Sequence, residues 1–216
     1  MRLKITLQKS SLLVLLFVLF TSFGNAQRSV AKWKLQLAMG PNHGFASGFT
    51  EEVFGRRLNF PTVNVGLQHF FSNQFGAKLD IGFNRLKSGI NLPEFKTNYT
   101  RVNAQLVYDP SYYIGFLPER VRVVFHAGPG ISFTKPLGTL KENNLTFLNV
   151  MAGGELHYGI SEGLSIYGGG AFVFGLSGKN LTTLQQNGLG AFNGTLMYAT
   201  IGISVSLSGC YYCDQW

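Results

Sequence analysis

The chain has 216 residues, with 18 Lys and Arg against 10 Asp and Glu for a formal charge of +8, yet charged residues make up only 13% of it. That share is about half of the ~25% usual in soluble domains, and Gly (27) and Phe (19) are abundant instead. The basic residues are scattered, with no run of the kind that tracks a phosphate backbone, so nucleic acid is excluded as a partner.

At the start, Arg2, Lys4 and Lys9 precede the apolar stretch Leu12 to Phe20, and Gly24-Asn25-Ala26 follows. This is the pattern of a secretory signal peptide over 1–26. Removing it takes away three basic side chains and no acids, which leaves +5. Gln27, not a cysteine, stands after the cleavage point, so the mature chain is expected to be unlipidated. The remaining length fits one domain. No stretch after Gln27 approaches the roughly 20 apolar residues that a membrane helix needs.

Eight alternating segments follow, near 32–40, 61–71, 76–87, 98–108, 120–134, 147–158, 163–176 and 195–208. Alternation of apolar and polar residues predicts strands with two different environments. Trp33, Leu35, Leu37 and Met39 oppose Lys34, Gln36 and Ala38 in the first. Leu79, Ile81 and Phe83 oppose Lys78, Asp80 and Gly82 in the third, and Val102, Ala104 and Leu106 oppose Arg101, Asn103 and Gln105 in the fourth. In the fifth, Pro129 interrupts the pattern and predicts a bulge, because proline cannot donate to a ladder. Val150, Ala152 and Leu156 oppose Met151, Glu155 and His157 in the sixth; the seventh contains Gly168-Gly169-Gly170. In the last, Met197, Ala199, Ile201, Ile203, Val205 and Leu207 alternate with Tyr198, Thr200, Gly202, Ser204 and Ser206.

Tight connections at 72–75 and 161–163 alternate with long ones near 41–60 and 177–194, which is the rhythm of a hairpin meander in an outer membrane. The connection from Asp109 to Glu119 breaks that rhythm: it should be short and is not. Lys34, Lys78, Asp80, Arg101, Arg122 and Glu155 all fall opposite the apolar rows. Facing water they would coat a soluble barrel thinly, whereas turned inward they can pair in a plugged lumen and leave Leu, Ile, Val and Phe against lipid. The expected fold is therefore all-β, an eight-stranded antiparallel up-and-down transmembrane β-barrel over 27–208 in the cell outer membrane. Residues 209–216 form a periplasmic tail.

The chain resembles the small outer-membrane β-barrels of Gram-negative bacteria, OmpA-type membrane domains and the porin-like or PorT-like group among them. The resemblance rests on Phe70-Phe71-Ser72-Asn73-Gln74-Phe75-Gly76 followed by 79–86, and on His126-Ala127-Gly128-Pro129-Gly130-Ile131-Ser132-Phe133. Thr200, Gly202, Val205 and Leu207 fit the closing-strand signal read by the barrel-assembly machinery, although Ser208 to Trp216 still follow. The expected role is that of a structural, adhesion or accessory component, and the resemblance alone implies a PorT-like role in helping protein export as the runner-up.

His126, Glu155 and His157 share the expected lumen face and raise a metal site or general-base cluster as an alternative to a packed polar network. No nucleophile elbow or paired ligand spacing accompanies them. Gly168 to Gly170 and Gly178-Lys179 do not make a phosphate loop, since Val173 and Asn180 stand where glycine and Ser or Thr are required. Cys210 and Cys213 form a C-x-x-C in the tail, where an oxidising compartment favours a disulfide over free thiols or redox activity. Four Asn-x-Thr matches, at Asn98, Asn144, Asn180 and Asn193, read as polar loop chemistry.

The expectation is thus a barrel without catalysis, cofactor or metal. Its partners would be outer-membrane lipids, the assembly machinery during insertion, and an envelope protein met through the outer loops or the tail. A small-solute channel with a basic lining of Lys34, Lys78, Arg101 and Arg122 is the alternative, and an enzyme acting on lipid or peptide a lower one.

Overall fold

The computed structural model describes residues 32–49, 55–90, 92–138, 141, 144–176 and 191–209. The signal segment 1–26, most of the last long loop (177–190) and the Cys210/Cys213 pair lie outside them. Eight strands follow in order: β1 (Trp33–Gly44), β2 (Asn59–Phe70), β3 (Phe75–Lys87), β4 (Lys96–Tyr108), β5 (Val121–Pro136), β6 (Leu145–Ser161), β7 (Leu164–Gly175) and β8 (Leu196–Ser206). Each pairs antiparallel with the next, and β8 returns to β1, which closes the barrel. Closure removes the free sheet edge that lipid could not satisfy.

The period of two sorts side chains between two phases. Along β8, Ile203 is 46% exposed and its neighbour Ser204 is 0% exposed. The same alternation holds on β1 to β4: Leu37, Leu79, Ile81 and Leu106 are exposed, while Gln36, Lys78, Asp80, Arg101 and Gln105 are buried. Outside is therefore apolar and inside polar, the reverse of a soluble barrel. Aromatic rings mark both ends of the outer belt. Trp33 packs on His69 and Phe75 on Tyr108 at one rim, and Phe45, Phe172 and Phe174 stack at the other.

Chain direction defines the rims. The described chain enters and leaves at the first, where the connections 71–74, 109–120 and 162–163 also lie; the connections 45–58, 88–95, 137–144 and 176–195 lie at the second. The expected loop 41–60 is shorter than its pattern suggested, because 41–44 continue β1 and 59–60 begin β2. The connection after Asp109 remains long and contains the 3-10 turn Ser111–Tyr113.

The bulge expected at Pro129 is absent. Pro129 pairs with Val150 on β6, and the β4–β5 register is unchanged from Asn103↔Gly130 to Leu106↔Ala127. The missing donor leaves a gap in pairing without adding a residue. Gly128 lets the strands close there, since a Cβ at that position would strike the Ala104 carbonyl oxygen. Register shifts occur instead between Gly40 and Asn42 and between Gly159 and Ser161, both near strand ends.

Candidate functional site

The interior gathers buried charged groups, which are arranged in layers. Near the first rim, Phe70, Val107 and Val124 form a small apolar cluster, with Lys34 Nζ 5.0 Å from the centre of the Phe70 ring. Beside them Arg122 donates to Asp109 Oδ2 at 3.3 Å.

The next layer centres on Glu155. Lys78 Nζ lies 2.5 Å from Oε1. Gln36 donates to Oε2 at 3.1 Å, and His157 Nε2 is 2.8 Å from the same oxygen. His126 Nε2 stands 3.7 Å from Oε1, and Tyr167 stacks on His157 at 4.7 Å between ring centres. Above this, Arg101 donates to Asn64 Oδ1 at 3.0 Å and to Asp80 Oδ1 at 3.3 Å, with its guanidinium 4.5 Å over the Tyr198 ring. Ser132 then joins Tyr99 and Asn149 at 2.7 Å each, and Asn103 donates to Asn149.

The far end is apolar. Phe49, Leu86, Phe95, Tyr99, Phe147, Phe192 and Leu196 belong to one buried cluster. Phe49 and Phe192 come from connections, not strands; they meet at 4.6 Å, and their segments bridge each other, with Asn193 N donating to the Gly48 carbonyl. Two connecting segments are thus latched together at the second rim.

A void of about 10 Å³ lies among Asn64, Lys78, Asp80, His126, Glu155 and Tyr167. That volume holds about one water molecule. The ammonium of Lys78 lies against Glu155 Oε1, an oxygen that a metal ion would otherwise approach. Among the described residues no group of three His, Cys, Asp or Glu is arranged to hold one.

No family model matches the chain, and no curated protein does. Solved structures do. A major outer membrane protein from Thermus thermophilus superposes with a TM-score of 0.53 at 13% identity, covering 82% of this chain and 99% of that one. Neisserial surface protein A superposes with a TM-score of 0.52 at 12% identity, covering 81% and 95%. The chain has the fold of the small outer-membrane β-barrels.

As in an outer-membrane barrel, the sequence-derived lumen residues do point inward. Lys78, Glu155, His126 and His157 converge in one layer and Asp80 and Arg101 in the next; Lys34 and Arg122 lie nearer the first rim, apart from the central pairs. Asp109 was not foreseen, since it sits in a connection with no periodicity, yet it is the partner of Arg122. Asn64, Asn103, Asn149 and Ser132 are buried inside as well, and alternation along a strand does not say which of them meet. On β8, Thr200 is buried and Val205 faces outward, and Leu207, just past the strand end, is exposed.

Proposed function

We propose that the protein is a closed, non-enzymatic barrel of the outer membrane that serves a structural, adhesive or accessory role through its rims. The observation that carries this reading is the filled lumen. Its cations are matched by Glu155, Asp80, Asp109 and aromatic faces, and the void beside Glu155 admits about one water. A conducting pore needs a continuous wet path, and a lipid or peptide enzyme needs a cavity into which substrate can reach His126, Glu155 and His157. Both are hard to reconcile with that packing. Help to protein export is the narrower form of the accessory role and rests on the sequence resemblance alone.

The test joins location to conduction. The full-length protein should fractionate with outer membranes, shift on gels between unheated and heated samples, and give no conductance steps in planar bilayers. Steady steps that change when Lys78 or Arg101 is neutralised would overturn the closed-barrel reading in favour of a channel.

A further inference from the structure

The connection 109–120 does not fit a simple meander, because it is long on the rim where the other turns are tight. Its composition is also unusual for a loop in water. From Pro110 to Pro118 it reads PSYYIGFLP, with no charged residue between Asp109 and Glu119. Loops exposed to solvent are ordinarily polar, and an uncharged aromatic run held away from any core requires a reason.

The backbone of this segment is fixed on both sides. Asp109 is buried and accepts from the Ser111 amide at 2.9 Å through Oδ1, while its other oxygen holds Arg122. Ser111 Oγ accepts from the Val123 amide at 2.8 Å, and so prolongs the edge of β5. Successive turn bonds follow, Tyr113 N to the Pro110 carbonyl and Leu117 N to the Ile114 carbonyl. The flanking hairpin grips it as well: the Asp109 amide donates to the Gln74 carbonyl at 2.8 Å, and the Gln74 side chain donates to Tyr113 Oη at 2.8 Å.

On this anchored frame the largest side chains are left outside. Tyr112 is 81% exposed, Tyr113 65% and Phe116 86%. They continue a surface already assigned to lipid: Tyr108, which opens the connection, packs on Phe75 at 5.1 Å, and Trp33, Phe71 and Tyr158 are exposed on the same rim. Tyrosine places an apolar ring and a polar tip together, which suits the boundary between acyl chains and headgroups. Arg120, at the end of the run, is a cation of the kind that anionic headgroups attract.

We infer that the 109–120 connection is an interfacial anchor, which seats Tyr112, Tyr113 and Phe116 in the headgroup boundary of the leaflet at the first rim. The occupant of this surface is lipid. The inference rests on the membrane reading of the barrel and assigns to this one connection the task of fixing its depth.

Tryptophan fluorescence in lipid vesicles separates the two. Three full-length variants carry one tryptophan each: Trp216→Phe keeps native Trp33; Trp33→Phe/Trp216→Phe/Phe116→Trp reports the connection; Trp33→Phe/Trp216→Phe/Ile81→Trp reports the middle of the lipid belt. Each is checked for folding by its gel shift and reconstituted in phosphatidylethanolamine and phosphatidylglycerol vesicles. With lipids brominated high on the acyl chain, the tryptophan at 116 should lose intensity to a similar extent as Trp33 and emit to the blue of free tryptophan. With bromine deep in the chain, only the tryptophan at 81 should be strongly quenched. Red emission at 116 that responds to aqueous iodide and ignores bromolipid, with 81 still quenched, would overturn the anchor and leave the run as a face for a protein partner. No quenching at 81 would overturn the membrane reading itself and the anchor with it.

Discussion

Glu155 collects Lys78, Gln36, His157 and His126 within one buried layer, so its charge is matched from several sides at once. A carboxylate placed this way is costly to bury and more costly to lose, because removing one partner strands the other charge. Glu155→Gln keeps the volume and leaves Lys78 uncompensated. It should destabilise the barrel by about 3–5 kcal/mol, and adding Lys78→Met should recover most of the loss. Urea unfolding in lipid vesicles across the full double-mutant cycle measures both. Glycines give a second residue-scale contrast. A Cβ at Gly82 would land on the Arg101 guanidinium, which is fully buried and holds Asn64 and Asp80; a Cβ at Gly168 meets nothing within 4 Å. Gly82→Ala should therefore cost about 1–3 kcal/mol by overpacking, and Gly168→Ala should be neutral or mildly stabilising by the same unfolding measurement.

At the scale of elements, period two was enough to find all eight strands, because each separates an apolar phase from a polar one. Strand ends were less legible. Pro41 reads as a stop, yet β1 continues through it to Gly44, since the register shift between Gly40 and Asn42 absorbs the proline. The latch of Phe49 against Phe192 had no sequence signal at all, as aromatic residues in connections carry no period that would show what they pack against. The inward positions of Lys78, Asp80, Arg101 and Glu155 followed from alternation, but which acid meets which base depends on the circuit of registers. The closing strand carries the proposed assembly signal. Gly202 has a structural role regardless, because a Cβ there would collide with the Leu37 carbonyl oxygen, so its replacement cannot isolate recognition. Val205 faces outward and Leu207 is exposed, and the two make a cleaner test. Val205→Asn/Leu207→Asn should lower the yield of heat-shifting barrel in cells several-fold more than it lowers refolding of the purified chain into detergent. Equal losses in both would assign the two residues to stability and not to recognition.

For the whole molecule, the proposed closed lumen rests on layers in series. The aromatic latch lies at the second rim, the Arg101 layer and the Glu155 layer follow inside the barrel, and the small apolar cluster lies near the first rim. Seals in series fail to conduct while any one of them holds, so opening the mouth alone should not make a pore. Phe49→Ala/Phe192→Ala removes the latch at a cost of about 3–5 kcal/mol for each ring, which makes the gel shift a necessary check of folding. This variant should remain silent in planar bilayers. Adding Arg101→Ala removes the largest of the fully buried side chains and frees Asp80, which leaves a wider and more acidic path toward the second rim. Sustained conductance should still require loss of the Glu155 layer, through Glu155→Ala/Lys78→Ala on the same background. If the latch variant conducts by itself, the inner layers open readily in the membrane, and the polar lumen has to be read as a gated path instead of a packed core.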